Sequence, residues 1–151
     1  MLEEKMEYEN VKRELEISLD VVRKADNSLY IGVTAVLAWS VTTLNGTLSL
    51  LVYCVIIPLY FIALNYNIHA MKLGAYLLVF HNDRWEKRLH KINNKKNIKR
   101  YALSYRTPFI YASIASTALF FVLFDYDAIS ILKAIQAIIC ISLFLGFNTY
   151  V

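Results

Sequence analysis

Four stretches of the sequence, 28–44, 48–64, 107–124 and 128–147, stay apolar for 17 to 20 residues, and Lys133 is the one charged residue inside them. A helix that packs one face into a water-soluble core keeps a polar face for solvent, and these stretches have no such face. Their lengths match the ~17–25 residues of a helix that crosses a hydrocarbon layer. The expected fold class is all-α: an integral membrane four-helix protein of two transmembrane hairpins, with an N-terminal amphipathic helix and a cytoplasmic extension of the second span.

The distribution of charge points the same way. At 58% hydrophobic residues and a mean hydropathy of +0.43, the chain exceeds the ~45–50% apolar content of ordinary soluble domains. Its charges gather in the first 27 residues and in 72–106, the segregation expected of spans and their flanks. The N-terminal Glu3, Glu4, Lys5 and Glu7 do not form the basic and apolar regions of a signal peptide, so membrane entry is expected to use an internal segment.

Turn chemistry divides the stretches into hairpins. Asn45-Gly46-Thr47 offers a glycine for a left-handed helix stop and a threonine to cap the next start. Thr107-Pro108 places a capping hydroxyl ahead of a proline in the first turn of the third span. Asp125-Tyr126-Asp127 forms the second hairpin turn, with Asp127 as a cap. Pro58, in the middle of the second span, removes the bond to the Cys54 carbonyl and predicts a kink. The expected organisation is an amphipathic helix over 1–27, a hairpin over 28–66, a basic cytoplasmic helix and linker over 67–104, and a second hairpin over 105–151.

Orientation follows from Lys and Arg counts near the spans. Residues 72–106 hold ten of them against Asp83 and Glu86, and the two tight turns hold none. The positive-inside rule then places this segment and both termini in the cytoplasm. Lys133 lies close enough to the outer end of span four to snorkel towards headgroups. Tyr30, Tyr66, Tyr105, Tyr126 and Tyr150 fall near span ends, as in an interfacial aromatic belt.

In the cytoplasmic parts, Val11, Leu15, Leu19 and Val22 recur at helical spacing, and residues up to Asp26 carry a net charge of −3, from five basic and eight acidic side chains. The segment 72–106 sums to +8, so the two can attract each other. Leu73, Tyr76, Leu77, Phe80, Trp85 and Leu89 extend an apolar stripe beyond span two, which predicts one long helix leaving the membrane near 65–69. Lys87, Arg88, Lys91, Lys95, Lys96, Lys99 and Arg100 are the expected contacts for anionic lipid or another anionic ligand. Nucleic acid is not an expected partner.

Chemistry is mostly excluded by what the spans lack. No Asp or Glu lies in a span to carry protons. His69, His81 and His90 do not form facing haem-ligand pairs deep in a span. Cys54 and Cys140 sit alone in apolar runs, without CxxC or metal-ligand spacing. No cofactor, metal site or enzymatic activity is expected. One exception comes from Arg84 and His90: their arginine, five residues, histidine spacing resembles HEPN ribonuclease motifs, in which imidazole and cation would face a phosphodiester.

Inside the spans, Thr34, Ala38 and Thr42, then Ala112 with Ser116 and Ser113 with Thr117, form small faces for close helix approach. Lys133, Gln136 and Cys140 fall along one side of span four and form either a packing seam or the lining of an oligomeric pore. The segment Gly74-Ala75-Tyr76-Leu77-Leu78-Val79-Phe80 followed by Trp85-Glu86 resembles a short pattern in small bacterial multi-pass membrane proteins. That resemblance implies a bacterial inner membrane location and no particular activity.

The leading expectation is a homo-oligomer in the lipid bilayer, acting as a channel, pore or membrane effector controlled through its basic cytoplasmic cap. A role in bacterial phage defence is a class-level analogy only. The alternative is a non-conducting anchor or sensor subunit that recruits a cytoplasmic protein partner.

Overall fold

The computed structural model describes residues 2–80, 106–124 and 131–150, and these are helical apart from short turns. The elements are α1 (Leu2–Thr42), α2 (Gly46–Ser49), α3 (Val52–Phe80), α4 (Thr107–Val122) and α5 (Ile131–Tyr150). Two compact units divide them, residues 1–26 with 61–105 and residues 27–60 with 106–151.

The expected boundary between an amphipathic helix and span one, near residue 27, is not a backbone break, because α1 runs through it. The change at 27 is one of polarity, and no Gly or Pro accompanies it to disrupt i→i−4 bonding. α3 likewise runs unbroken past Pro58 to Phe80, so the helix continues beyond span two as far as Phe80; the expected continuation through Trp85 and Leu89 lies outside the described residues. The tightened backbone lies one turn earlier, where Tyr53 N–H bonds Leu50 O at 3.1 Å and Cys54 N–H bonds Leu51 O at 3.0 Å.

In the first unit, the buried positions of α1 pass through Ser18 and Ala25 rather than Leu19, which is exposed. On α3, Ala63, Ala70 and Leu77 are buried at seven-residue intervals, the period of a close helix seam. The Ser18 hydroxyl satisfies itself on the Glu14 carbonyl at 2.9 Å. Tyr76 donates its phenol proton to the Glu7 carboxylate, tying α3 to α1. On the surface Asp20 and Lys24 form an i,i+4 pair at 2.7 Å, and this lysine holds the Asp20 carboxyl below its usual range.

In the second unit, the turn after α1 is built differently from the sequence expectation. Asn45 N–H bonds Ser40 O at 3.1 Å and Leu44 N–H bonds Val41 O at 3.2 Å, the paired closure of a Schellman stop. The left-handed residue is Leu44, with φ 52°, and Asn45 caps α2 by accepting Thr47 N–H at 3.0 Å. Gly46 is needed elsewhere: a Cβ on it would lie 2.8 Å from the Phe120 carbonyl of α4. At the start of α4, Arg106 holds the cap position without a side-chain hydrogen bond to the helix's first turn, and Pro108 lies in that turn. Thr107 is already the first helical residue, so the cap position falls on Arg106 rather than on the expected Thr107. The expected second turn, Asp125-Tyr126-Asp127, lies outside the described residues.

Among the described residues, two helices are by length and composition apolar enough to cross a membrane: Gly46–Leu77, which joins α2 and α3, and α5. α4 is apolar but shorter, at 16 residues.

Candidate functional site

The most elaborate chemistry among the described residues is a polar seam where α2, α3, α4 and α5 meet in the second unit. Gly46, Ser49 and Tyr53 lie one and two helical turns apart on one side; Ser113, Ser116, Thr117 and Phe120 face them from α4. The single proton of the Ser49 hydroxyl is shared between two carbonyl acceptors, Gly46 O at 2.7 Å and Ser116 O of α4 at 3.1 Å. The Ser116 hydroxyl returns a bond to Ser49 O at 2.6 Å. Serine is small enough to let the backbones approach this closely while its hydroxyl satisfies a carbonyl of the other helix.

One turn further, the Tyr53 hydroxyl reaches Ser113 O at 3.3 Å and Thr117 Oγ1 at 2.8 Å. Asn148, on α5, donates its amide to Ser113 Oγ at 3.0 Å and to Phe144 O at 2.8 Å. Aromatic rings close this end: Tyr60 meets Phe109 edge-on at 5.5 Å and Phe147 at 5.6 Å. Ser49, Ser113 and Ser116 are fully buried, and each has its hydroxyl bonded, as buried polar groups require.

The small face predicted on span three, Ala112, Ser113, Ser116 and Thr117, is therefore the face that packs. The one predicted on span one is not: Thr34, Ala38 and Thr42 are exposed. Sequence reasoning missed Ser49, Tyr53 and Asn148. Ser49 and Tyr53 lie four apart in an apolar run, which was a readable signal; Asn148 had none beyond being an amide near a helix end.

The predicted stripe Lys133, Gln136, Cys140 is split by the fold. Cys140 is fully buried, with its thiol against the Thr117 hydroxyl, so it belongs to the seam. Lys133 and Gln136 instead border a depression of ≈ 330 Å³, walled by the turn at 43–47 and by Leu123 and Phe124. A second depression, of ≈ 340 Å³, lies along α1 beside Met6, Glu7, Asn10, Val11 and Glu14.

The expected anionic-lipid contacts, Lys87, Arg88, Lys91, Lys95, Lys96, Lys99 and Arg100, lie outside the described residues, as do Arg84 and His90. Among the described residues no three His, Cys, Asp or Glu side chains come together as metal ligands. Asp26, just ahead of the first apolar stretch, has a buried Oδ1 without a hydrogen-bond partner, and its burial raises the carboxyl above its ordinary range. No family model, curated protein or solved structure matches this chain.

Proposed function

We propose that the protein is a four-span integral membrane protein, with both termini and residues 72–106 in the cytoplasm of a bacterium, that serves as a non-conducting anchor for a cytoplasmic protein partner. The observation that carries the membrane reading is α5. It is apolar along its length, yet only 11% of its most apolar stretch is buried within the chain. Ile131, Leu132, Ile138 and Leu145 are each more than half exposed. The core helix of a water-soluble protein hides such residues, whereas lipid covers them at no hydration cost. α4, at about 24 Å by its 16 residues and ~1.5 Å per residue, is short for a bilayer, and local thinning accommodates such a mismatch.

Two features favour the anchor over the pore. Burial of Cys140 interrupts the polar stripe of α5, and the polar groups of the seam bond one another instead of lining an open path. The first half of α1 carries exposed charge and the depression beside Glu7 and Glu14, a surface suited to a basic protein partner. Oligomeric conduction is the second reading, and the exposed small residues Thr34, Ala38 and Thr42 favour it, since copies can meet closely there.

The membrane reading is tested by alkaline extraction of membranes, with reporter fusions after residue 45 and after residue 151. Retention in the pellet, with the 45 fusion outside and the 151 fusion inside, is the expected result; release into the supernatant refutes it. The choice of role is tested by ion flux through proteoliposomes at defined protein density. Flux that rises steeply with density supports the pore and overturns the anchor.

A further inference from the structure

The helices of the second unit meet two common levels, and the lateral contacts between them fix both. At the outer level Gly46 packs against the last turn of α4, where a Cβ on it would lie 2.8 Å from Phe120 O and 3.3 Å from Leu123. Gln136 of α5 borders the same depression as the turn at 43–47 and Leu123. At the inner level Tyr60 meets Phe109 at 5.5 Å, Phe147 at 5.6 Å and Tyr150 at 6.3 Å. α1 joins through Gly32, where a Cβ would lie 2.8 Å from Val55 Cγ1. Counting the same number of residues from that contact along the two antiparallel helices brings Asn27 opposite Tyr60.

The separation of the levels can be read on each helix. At ~1.5 Å per residue, Asn27 to Thr42 rises about 22 Å, Thr47 to Tyr60 about 20 Å, and Phe109 to Leu123 and Gln136 to Tyr150 about 21 Å each. Carried to the ends of α4, the rise is about 24 Å. Tilt shortens each path across a layer and never lengthens it. A hydrocarbon core is typically ~30 Å thick, so all four paths fall several ångströms short. α3 runs on past Tyr60 into the first unit. α5 runs on past the outer level by little more than a turn, which contains Lys133, as suits a segment among headgroups. The side chains at the two levels suit interfaces. Tyr30, Tyr111 and Tyr150 are exposed within about a turn of the inner one, where amphipathic rings settle, and Thr43, Asn45 and Thr47 are exposed at the outer one.

We propose that the second unit is fitted to a hydrocarbon layer of about 24 Å, the length of α4, and that its lipid partner is a bilayer of short acyl chains, selected over bilayers of ordinary thickness. This rests on the membrane reading above and adds a thickness to it. A short span in a thick layer compresses the lipid beside it, at a cost that grows with each ångström of mismatch. Exchange of long chains for short ones at the protein surface relieves that compression.

The test uses the full chain in phosphatidylcholine vesicles, with Trp85→Phe leaving Trp39 as the single tryptophan. Trp39 is 53% exposed on α1, so it reports lipid in contact with the second unit. Brominated dioleoyl lipid quenches it on contact. Dilution with unbrominated lipid of myristoleoyl, palmitoleoyl, oleoyl, eicosenoyl or erucoyl chains relieves the quenching according to how well each competes. Myristoleoyl or palmitoleoyl lipid should compete best, and erucoyl lipid about twofold or more weakly. The wild-type chain supplies a second reading without substitution, since its thermal unfolding midpoint in single-lipid vesicles should be highest in the same short-chain lipids.

Best competition by oleoyl or longer chains, equal competition by all five, or a midpoint that climbs steadily to erucoyl overturns the thickness assignment and leaves the membrane reading standing. Absence of any quenching by brominated lipid overturns both, and the wild-type chain would then also be released by alkaline extraction.

Discussion

At the scale of single residues, the turn after α1 holds the clearest departure from local preference. Leu44 adopts φ 52° with its side chain 74% exposed, a left-handed conformation that costs a non-glycine residue roughly 1–2 kcal/mol. Leu44→Gly should therefore raise stability by about 1 kcal/mol, the added unfolded-state entropy offsetting part of the gain; thermal unfolding in detergent measures it. The sequence located this turn but assigned the left-handed position to Gly46, because propensity alone does not reveal that Phe120 will press against that glycine. Asp26 carries the second residue-level prediction. With its folded pKa raised by burial, the carboxyl is neutral in both states at low pH and imposes no penalty there. As pH rises through the interval between the ordinary and the raised value, the unfolded chain ionises first and the folded state loses relative stability. Asp26→Asn should then raise the melting temperature at about pH 7 and leave it unchanged at about pH 3; an equal effect at both would assign the change to something other than ionisation.

At the scale of elements, the glycines and serines separate helices that touch within the chain from helices that do not. A Cβ on Gly46 would lie 2.8 Å from the Phe120 carbonyl and 3.3 Å from Leu123, and backbone cannot rotate away as a side chain does. Gly46→Ala should destabilise by about 1–3 kcal/mol. Gly146 is the counter-example, since a Cβ there meets nothing within 4 Å. Gly146→Ala should stabilise α5 by roughly 0.5–1 kcal/mol through helix propensity, and a loss instead would reveal close packing by another molecule at that position. Ser116→Ala removes the hydroxyl bonded to Ser49 O and should lower stability by about 1 kcal/mol, read by the same unfolding assay. Much at this scale was legible: long apolar runs gave the helices, and the spacing of Ala112, Ser113, Ser116 and Thr117 gave the packed face of α4. Thr34, Ala38 and Thr42 have the same spacing and remain exposed. Small-residue periodicity marks a face able to approach another helix and does not say which helix arrives. The reading of Lys133, Gln136 and Cys140 as one stripe failed for a related reason: a broad arc of α5 spans both the depression and the seam, and composition does not locate the edge between them.

For the whole molecule the governing question is what covers the apolar surface, and α5 answers it most directly. In a water-soluble protein an exposed isoleucine is an incidental surface residue, and replacing it changes stability by no more than ~0.5 kcal/mol. In a bilayer the same position is solvated by hydrocarbon, and an arginine at the centre of a span opposes insertion by ~2.5–3.5 kcal/mol. Ile138 is 63% exposed and stands at the middle of the apolar stretch 128–147, so the two environments predict opposite results for Ile138→Arg. The membrane reading expects the insertion equilibrium of the variant to shift against the membrane by about two orders of magnitude, as ~1.4 kcal/mol per tenfold change implies, and its membrane-integrated fraction to fall accordingly. Asn148→Asp supplies the control near the end of the helix, where insertion is less sensitive to charge and loss of the bond to Ser113 instead disturbs packing. It should insert normally but unfold at a lower temperature. Quantitative blotting of alkaline-extracted membranes, beside the unfolding assay on the inserted protein, separates the two effects. Normal insertion of Ile138→Arg would mean that α5 does not face lipid, and its isoleucines would then have to be covered by a protein surface.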